Sequence, residues 1–291
     1  MNKEPLFFKS IYKKTLWGHE TWSLSANKNG ITLLDNNESI IDLFNNKELK
    51  EKIFGTKCIN LERFPLLIKF IEAKMDLSIQ VHPDDDYAKK HENDFGKDEV
   101  WYVMDCNNDT NIIYGLNEKA NNTSNEIIVN DIKSYLNYQR INKDDLVSIK
   151  AGTVHALLSN TYVCEIQQNS DITYRIYDWD RVDSEGKKRD LHKDKAADVI
   201  KNTERRIINC HNLDGNIYSS KFKIDLVNVD NSINLESLVS SFIIYVVING
   251  EGKIKTNNFE KELTKETVFL IPSSLGKYEL NGKMKLLKIY L

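Results

Sequence analysis

A short polar motif holds the first residues whose types could bind a metal ion. In Ser-Ile-Gln-Val-His at 78–82, a polar side chain occupies every second position. Because alternate side chains of a β-strand share one face, we expect Ser78, Gln80 and His82 to point the same way, with the apolar residues between them on the opposite face. A strand that gives one whole face to Ser, Gln and His presents these side chains to a ligand.

Two later motifs supply further metal donors. Glu99 directly precedes the apolar run at 100–103, and His155 follows an Ala-Gly-Thr turn at 151–153. The small residues of this turn let the chain approach a ligand or a neighbouring backbone closely. Two imidazoles and a carboxylate suit a divalent metal. From the residues alone, this site competes with a structural or surface role for each histidine, which is the role predicted for His19, His91, His192 and His211.

Composition excludes several classes of partner. The chain has 291 residues, a formal net charge of -3 and a pI near 6.1, so it lacks the positive charge that binds nucleic acid or anionic lipid. Four widely separated cysteines without a Cys-x-x-Cys pair indicate reduced thiols. The apolar stretch at 242–248 is too short to cross a bilayer. We therefore expect a cytoplasmic protein with no nucleic-acid or membrane partner.

Many short apolar runs separated by turn signals predict a mainly β protein with a few short helices. The helices are expected at 40–44, 47–54, 84–91, 130–139 and, within a charged loop, around 196–200, and a domain boundary is expected near 205–220. A jelly-roll barrel with inward-facing polar residues would be a natural container for the metal site. The last 75 residues read as strands, predicted at 222–229, 242–248, 252–256, 267–271 and 286–290.

A faint internal repeat links the two parts of the chain. Residues 147–155 can be laid over residues 269–277, with apolar positions and a turn in common, and His155 then falls on Lys277. This overlay predicts a second barrel that kept the shape and lost the metal ligand.

Four ordered motifs resemble the type I mannose-6-phosphate isomerases, and most closely the short bacillus-type members. They are Gln-Val-His-Pro-Asp-Asp at 80–85, Gly-Lys-Asp-Glu-Val-Trp-Tyr at 96–102, Ala-Gly-Thr-Val-His-Ala at 151–156 and the run from 165 to 181. The likeness covers most of residues 5–205. One departure is Lys150, where many relatives have proline.

The resemblance implies a zinc-dependent aldose–ketose isomerase built from two cupin domains. Residues 1–210 would form the catalytic, metal-binding cupin domain with helical additions, and residues 211–291 a second, metal-free cupin-like domain. One Zn²⁺ per chain would be held by Gln80, His82, Glu99 and His155. The catalytic arginine maps onto Arg175, and the substrate-binding positions map onto Ser78, Lys69, Lys97 and Glu165.

The implied reaction interconverts mannose 6-phosphate and fructose 6-phosphate through a cis-enediolate, so a cation must lie beside the sugar oxygens O1 and O2. Glu165, a lysine and metal-bound hydroxide all remain candidates for the proton-transfer base. From the residues alone, Arg175 could instead form a salt bridge with Asp178 or Asp180 and stack on Trp179. A non-catalytic sugar-binding cupin and a non-haem iron oxygenase are the competing functions. We expect a monomer or a weak homo-oligomer.

Overall fold

The computed structural model describes residues 4–183, 185–210 and 217–291. These residues form a mainly β structure, which confirms the predicted fold class. The strands are Leu6–Lys9 (β1), Ile11–Lys14 (β2), Gly18–Leu24 (β3), Ala26–Asn27 (β4), Gly30–Ile31 (β5), Leu33–Leu34 (β6), Leu66–Ala73 (β7), Ile79–Val81 (β8), Glu99–Cys106 (β9), Asn111–Leu116 (β10), Leu136–Arg140 (β11), Asp145–Ile149 (β12), His155–Leu157 (β13), Thr161–Gln168 (β14), Tyr174–Tyr177 (β15), Arg206–Asn209 (β16), Ile217–Tyr218 (β17), Lys223–Glu236 (β18), Ile243–Lys255 (β19), Glu260–Leu263 (β20), Val268–Ile271 (β21) and Lys277–Tyr290 (β22).

The α-helices are short. They are Ile40–Asn45 (α1), Lys47–Phe54 (α2), Asp85–Glu92 (α3), Asn125–Asn130 (α4) and Lys193–Val199 (α5). Helix α2 ends at Gly55, whose φ of 86° lies in the region that favours glycine. Helix α3 begins after Asp84, whose carboxylate accepts the N–H of Tyr87 at 2.9 Å. None of the helices in the described ranges is long and apolar enough to span a membrane.

The helix predicted at 130–139 is wrong. Helix α4 ends at Asn130, a 3₁₀ turn follows at Ile132–Tyr135, and the chain then continues as strand β11. Strand β11 pairs antiparallel with β10, including Ile113 opposite Tyr138. This pairing with a strand some 25 residues earlier overrides the local helical pattern of the segment.

The chain divides into two compact units that are not contiguous in sequence. One comprises Tyr12–Trp22 and Leu67–His211, and the other comprises Met1–Ile11, Ser23–Leu66 and Asn212–Leu291. The second unit takes early residues because β1 hydrogen-bonds to β21, with Leu6 opposite Leu270. A single boundary near residue 210 therefore does not describe the compact units, since no local signal marks a pairing this distant.

The unit that contains residues 67–211, hereafter the site unit, has two antiparallel sheets. One runs in the order β11-β10-β13-β8-β15, and the other in the order β16-β12-β9-β14-β7-β3-β2. Side chains from both sheets meet in one apolar cluster that contains Trp101 and Val103 from β9, Ile112 from β10 and Leu157 from β13. The two sheets therefore pack face to face, and the space between them can hold a buried site.

The other unit, hereafter the terminal unit, is built on an eight-stranded sheet in the order β17-β18-β22-β19-β21-β1-β6, with β20 added beside β19. The predicted strands all occur, but the two expected at 242–248 and 252–256 are one strand, β19. Its apolar cluster includes Ile243, Val247, Phe269 and Leu286.

Candidate metal centre and substrate cavity

Strand β8 divides its side chains as the sequence pattern predicts. Ile79 and Val81 are fully buried in an apolar cluster on one side of the sheet. Ser78 and Gln80 line a cavity on the other side. His82 follows directly and is also buried. The alternation of polar and apolar residues thus places three polar side chains toward the interior between the two sheets.

The strand register places two further site residues beside Gln80. His155 on β13 lies directly opposite Gln80, and Arg175 on β15 lies opposite it on the other side. Directly paired residues of neighbouring strands have their side chains on the same face of the sheet. The strand pairing therefore places His155 and Arg175, which are 75 and 95 positions away in the sequence, beside Gln80.

The turn before His155 requires glycine. Gly152 has a φ of 91°, and its N–H donates to the carbonyl oxygen of His82 at 2.8 Å. A Cβ at this position would lie 2.9 Å from Cβ of Lys201. Lys150, the departure from the family pattern, is exposed and lies 3.5 Å from Glu204. The turn keeps its conformation without proline at that position.

His82, Glu99 and His155 form a cluster of metal-donor atoms, which lie within 4.8 Å of one another. His155 Nε2 lies 3.3 Å from Glu99 Oε1, and His82 Nε2 lies 3.5 Å from Glu99 Oε2. The amide nitrogen of Gln80 lies 3.2 Å from His155 Nε2. The structure thus brings together the four residues that the sequence analysis assigns to the metal.

Hydrogen bonds to backbone carbonyls orient both imidazoles. His82 Nδ1 lies 2.8 Å from the carbonyl oxygen of Ile172, and His155 Nδ1 lies 2.8 Å from that of Thr153. Since a carbonyl oxygen can only accept, each Nδ1 must carry the proton. Each Nε2 therefore lacks a proton and directs its lone pair into the cluster, the arrangement found for histidines that bind metals.

The environment of the cluster keeps its donors in the protonation states that a metal needs. Burial, assisted by the charge of Lys97, lowers the pKa of His82 to about 3, and burial also lowers the pKa of His155. Burial opposes the ionisation of Glu99, but the charge of Lys97 holds the pKa of this carboxylate well below its usual value. The imidazoles are neutral and the carboxylate is charged at neutral pH.

The donor set fits a divalent metal ion. Oε1 of Glu99 is a buried carboxylate oxygen that has no hydrogen-bond partner among the described residues. A buried charged oxygen is costly unless a cation satisfies it. Two neutral nitrogen donors, an anionic oxygen and a neighbouring amide are ligands that zinc accepts, and the two-histidine, one-carboxylate part also suits Fe(II).

Alternating charges continue from the cluster into the cavity. Lys97 donates to Glu99, and its Nζ lies 3.1 Å from His82 Nε2 and 3.3 Å from Glu165 Oε1. Nζ of Lys69 lies 3.1 Å from the same oxygen of Glu165, and 3.6 Å from Glu20. Lys69, an unexpected lysine in an apolar strand, is therefore buried between two carboxylates.

The two carboxylates beside Lys69 have opposite pKa shifts. Burial and the charge of Glu99 raise the pKa of Glu165, against the effect of Lys69 and Lys97. Burial also disfavours ionised Glu20, but Lys69 and a hydrogen bond from Trp22 Nε1 bring its pKa below the usual value. Neighbouring carboxylates with separated pKa values are a feature of sites that move protons.

A cavity of about 300 Å³ adjoins the metal-donor cluster. All four predicted substrate-binding residues line it, and so does Arg175. The lining residues that the sequence analysis did not single out include Trp17, Glu20, Asp171, Thr173 and Arg189. No polar alternation singles out Glu20 in β3, where it shares a strand face with Trp22 and Leu24, and Arg189 belongs to a charged segment with no strand pattern.

Arg175 does not form the alternative salt bridge considered from the sequence. Asp178 instead pairs with Arg181 and Arg189, and Asp180 pairs with Lys188. Nη1 of Arg175 donates to the carbonyl oxygen of Asp190 at 2.8 Å, and its buried Nε has no hydrogen-bond partner among the described residues. Burial and the charge of Arg189 lower the pKa of Arg175.

The other histidines in the described part of the chain lie outside the metal cluster. His19 pairs with Glu72 at 3.0 Å, and His91 stacks on Tyr87. Nδ1 of His192 accepts the backbone N–H of Arg175 at 3.2 Å, which is a structural role close to the cavity. His211 lies outside the described residues.

Comparison with known proteins identifies relatives along nearly the whole chain. Residues 9–118 match a family model described as the catalytic domain of type I phosphomannose isomerase, and residues 217–291 match a model described as the cupin domain of mannose-6-phosphate isomerase. The chain is 34% identical to mannose-6-phosphate isomerase ManA of Bacillus subtilis over 97% of each protein.

Solved structures agree with these matches. The crystal structure of mannose 6-phosphate isomerase from Bacillus subtilis superposes with a TM-score of 0.85, at 29% identity and over 99% of each chain. A mannose 6-phosphate isomerase described as bound with zinc and yttrium shares the fold, with a TM-score of 0.73 at 13% identity over 98% of this chain and 99% of that one. From the identity to the Bacillus relative over almost its full length, the chain belongs to the type I mannose-6-phosphate isomerase family.

Proposed function

We propose that this enzyme interconverts D-mannose 6-phosphate and D-fructose 6-phosphate by metal-assisted proton transfer between C1 and C2. The observation that carries the proposal is the convergence of His82, Glu99 and His155 beside a cavity that also contains Arg175, in a chain of this family. The intact set of donors and the arginine of the cavity count against a sugar-binding protein without catalytic activity.

The proposed cofactor is one Zn²⁺ per chain, held by Gln80, His82, Glu99 and His155. Two neutral imidazoles and a single carboxylate leave such an ion a large residual positive charge. When bound, the ion supplies Lewis-acid polarisation of the sugar carbonyl and stabilises charge on the sugar oxygens. The identity of the metal and the number of ions per chain are tested by elemental analysis, as described below.

The side chains of the cavity have separate proposed roles. Arg175 is charged at all working pH values and would stabilise the negative charge that develops on O1 and O2 of the enediolate. Glu165, whose pKa is raised above its usual value, is a candidate for the proton-transfer group, and Lys97 lies 3.3 Å away as its partner. Ser78 and Lys69 would position the sugar.

We assign the catalytic, metal-binding domain to residues 1–210 and the metal-free domain to residues 211–291. The compact units differ from this division because residues 1–11 and 23–66 belong to the terminal unit. All the donor residues belong to the site unit. A cytoplasmic location and a monomeric or weakly associated state stay predictions.

A hydrogen-exchange experiment tests the proposed function. The purified protein is incubated in D₂O with mannose 6-phosphate, and deuterium at C1 and C2 is followed by NMR, with and without a chelator. We expect exchange and formation of fructose 6-phosphate that stop with the chelator and return with Zn²⁺. Elemental analysis of protein purified without chelator should give about one zinc per chain. Stoichiometric iron without isomerisation would contradict the proposal and favour an oxygenase.

A further inference from the structure

The four basic side chains that line the cavity differ in their acidic partners. Both lysines lie against buried carboxylates: Lys69 Nζ is 3.1 Å and Lys97 Nζ is 3.3 Å from Glu165 Oε1, and Glu20 and Glu99 complete the chain. Five groups of alternating sign therefore include three acids and two bases. The two arginines of the cavity, Arg175 and Arg189, lie outside this chain of charges.

Arg189 is held by a bidentate ion pair. Its Nε donates to Asp178 Oδ2 at 2.7 Å, and its Nη2 donates to the other oxygen of the same carboxylate. Arg181 also donates to this carboxylate, at 2.5 Å. One carboxylate thus balances two guanidinium groups, which leaves one excess positive charge. Nη1 of Arg189 makes no hydrogen bond to any residue that the structure describes, so its two donors are available to a ligand.

The backbone fixes the segment of Arg189 beside Arg175. The N–H of His192 donates to the carbonyl oxygen of Arg175 at 2.7 Å, and the carbonyl oxygen of Asp190 accepts from Arg175 Nη1 at 2.8 Å. Two guanidinium groups that line one cavity are thereby held close enough to repel each other. An anion bound between them would remove this repulsion.

The position of Arg189 differs from that of the metal-donor cluster. Arg175 lies opposite Gln80 in the sheet, whereas Arg189 is held by Asp178, three residues further along the chain than Arg175. An open-chain hexose 6-phosphate carries its carbonyl at one end and its phosphate at the other. The cavity likewise offers two kinds of site, the metal-donor cluster and a pair of guanidinium groups that are not metal donors.

We propose that Arg189, oriented by Asp178, binds the phosphate group of the substrate. This inference rests on the proposed function and assigns its phosphate specificity to a residue outside the family motifs singled out in the sequence. The planar guanidinium matches phosphate oxygens, and Arg189 can offer Nη1 while Asp178 occupies Nε and Nη2. Asp178 is accordingly a positioning residue.

Steady-state kinetics of Arg189→Ala with mannose 6-phosphate test the inference. We expect KM to rise about 10- to 100-fold, the loss typical of a charge-assisted contact, while kcat stays within about 3-fold. The inhibition constant of inorganic phosphate should rise in parallel. Lys188→Ala is the matched control, because it removes an exposed positive charge from the same segment, paired with Asp180. It should leave KM within about 2-fold of the wild type.

Two further variants separate binding from folding. Arg189→Lys keeps the charge but loses the planar fork, so it should recover part of the affinity. Asp178→Asn should raise KM less than Arg189→Ala does. The metal content and circular dichroism of every variant should match the wild type. An unchanged KM in Arg189→Ala, or a loss of kcat at unchanged KM, would overturn the inference.

Calorimetric titration distinguishes this inference from the proposed function. Mannose 6-phosphate is titrated into wild-type protein and into Arg189→Ala without measuring turnover. Affinity that depends on Arg189 in a protein that does not isomerise the sugar would refute the proposed function and keep the phosphate site. Isomerisation with equal affinity in both proteins would refute the phosphate site alone.

Discussion

The interiors of the two units use the same alternation of strand residues for opposite purposes. In the site unit, inward positions of β7, β9 and β14 carry Lys69, Glu99 and Glu165. In the terminal unit, inward positions of β19 and β21 carry apolar residues such as Ile243 and Phe269. Antiparallel sheets therefore support either a dry core or a polar chamber, and the choice lies in the side chains alone.

Each interior satisfies its polar groups in a different way. The site unit buries charges in a continuous chain of carboxylates and ammonium groups, so every charge has an opposite neighbour. The terminal unit has a smaller polar feature in its apolar cluster, a pair of tyrosine hydroxyls on Tyr245 and Tyr278 at 2.8 Å. Replacing members of these networks tests the comparison directly.

Loss of a metal ligand is expected to have the largest effect. His155→Ala should remove bound zinc and lower kcat by about 10⁴-fold or more, because the cation beside the sugar oxygens is lost. Elemental analysis and the coupled isomerase assay measure both effects. His91→Ala, at an exposed histidine of the same unit, is the control and should change neither. Full activity in His155→Ala would reject the metal assignment.

Removal of the cavity arginine should separate metal binding from turnover. We expect Arg175→Ala to keep about one metal per chain and to lower kcat by about 10²- to 10⁴-fold, since a fixed positive charge near the reacting oxygens is gone. Lys133→Ala, a fully exposed cation elsewhere in the unit, serves as the control. Unchanged turnover in Arg175→Ala would return this residue to a purely structural role.

Breaking the buried chain of charges should lower the stability of the site unit. Lys69→Met leaves Glu20 and Glu165 without their shared cation, and we expect a loss of about 3 kcal/mol in the free energy of unfolding at neutral pH. Urea denaturation at several pH values measures this loss in the free energy of unfolding. Lys74→Met, at an exposed lysine that follows the same strand, should cost far less.

The pH dependence of this loss has a definite sign. In the wild type, the pKa of Glu20 is lowered, so the stability it contributes is present above its unfolded value and is lost as the pH falls through its lower folded value. Without Lys69, burial raises the pKa of Glu20. As the pH falls, Glu20 in the variant therefore becomes protonated, and the free-energy cost of its unpaired buried charge is removed. The stability difference should therefore be largest near pH 7–8, and a difference that grows on acidification would contradict the role of Lys69.

The tyrosine pair of the terminal unit should show the smallest effect. Tyr245→Phe leaves the buried hydroxyl of Tyr278 without its partner and should cost about 1–2 kcal/mol of stability. The double variant with Tyr278→Phe should recover part of this loss, because no unpaired hydroxyl remains. Metal content and turnover should not change. A double variant that is less stable than the sum of its parts would contradict the paired-hydroxyl account.

Local patterns predicted much of the site. The alternation at 78–82, the position of Glu99 before an apolar strand and the turn before His155 each identify a residue that the structure brings to the cluster. The two segments of the overlay, 147–155 and 269–277, have the same secondary structure. Each contains the end of one strand, a turn and the start of the next strand: β12 and β13 in the first segment, β21 and β22 in the second. His155 is buried and Lys277 is exposed at the equivalent strand starts. The duplication itself stays a prediction.

Distant pairings could not be predicted. Strand β11 replaces an expected helix because it pairs with β10, and β1 joins the terminal unit because it pairs with β21. Glu20 and Arg189 reach the cavity only through the placement of their segments, which no spacing in the sequence encodes. The residues missed are those whose role depends on tertiary contacts rather than on a repeating pattern.

The brevity of β8 has a consequence for protein engineering. Only three residues, Ile79–Val81, form this strand, and Gln80 is the one that pairs with both neighbouring strands, opposite His155 and Arg175. A single inserted or deleted residue here would rotate the donors out of the chamber, since a shift by one position exchanges the two faces of a strand. Affinity tags or reporter loops are better placed at the exposed turn at 107–109, which joins β9 to β10.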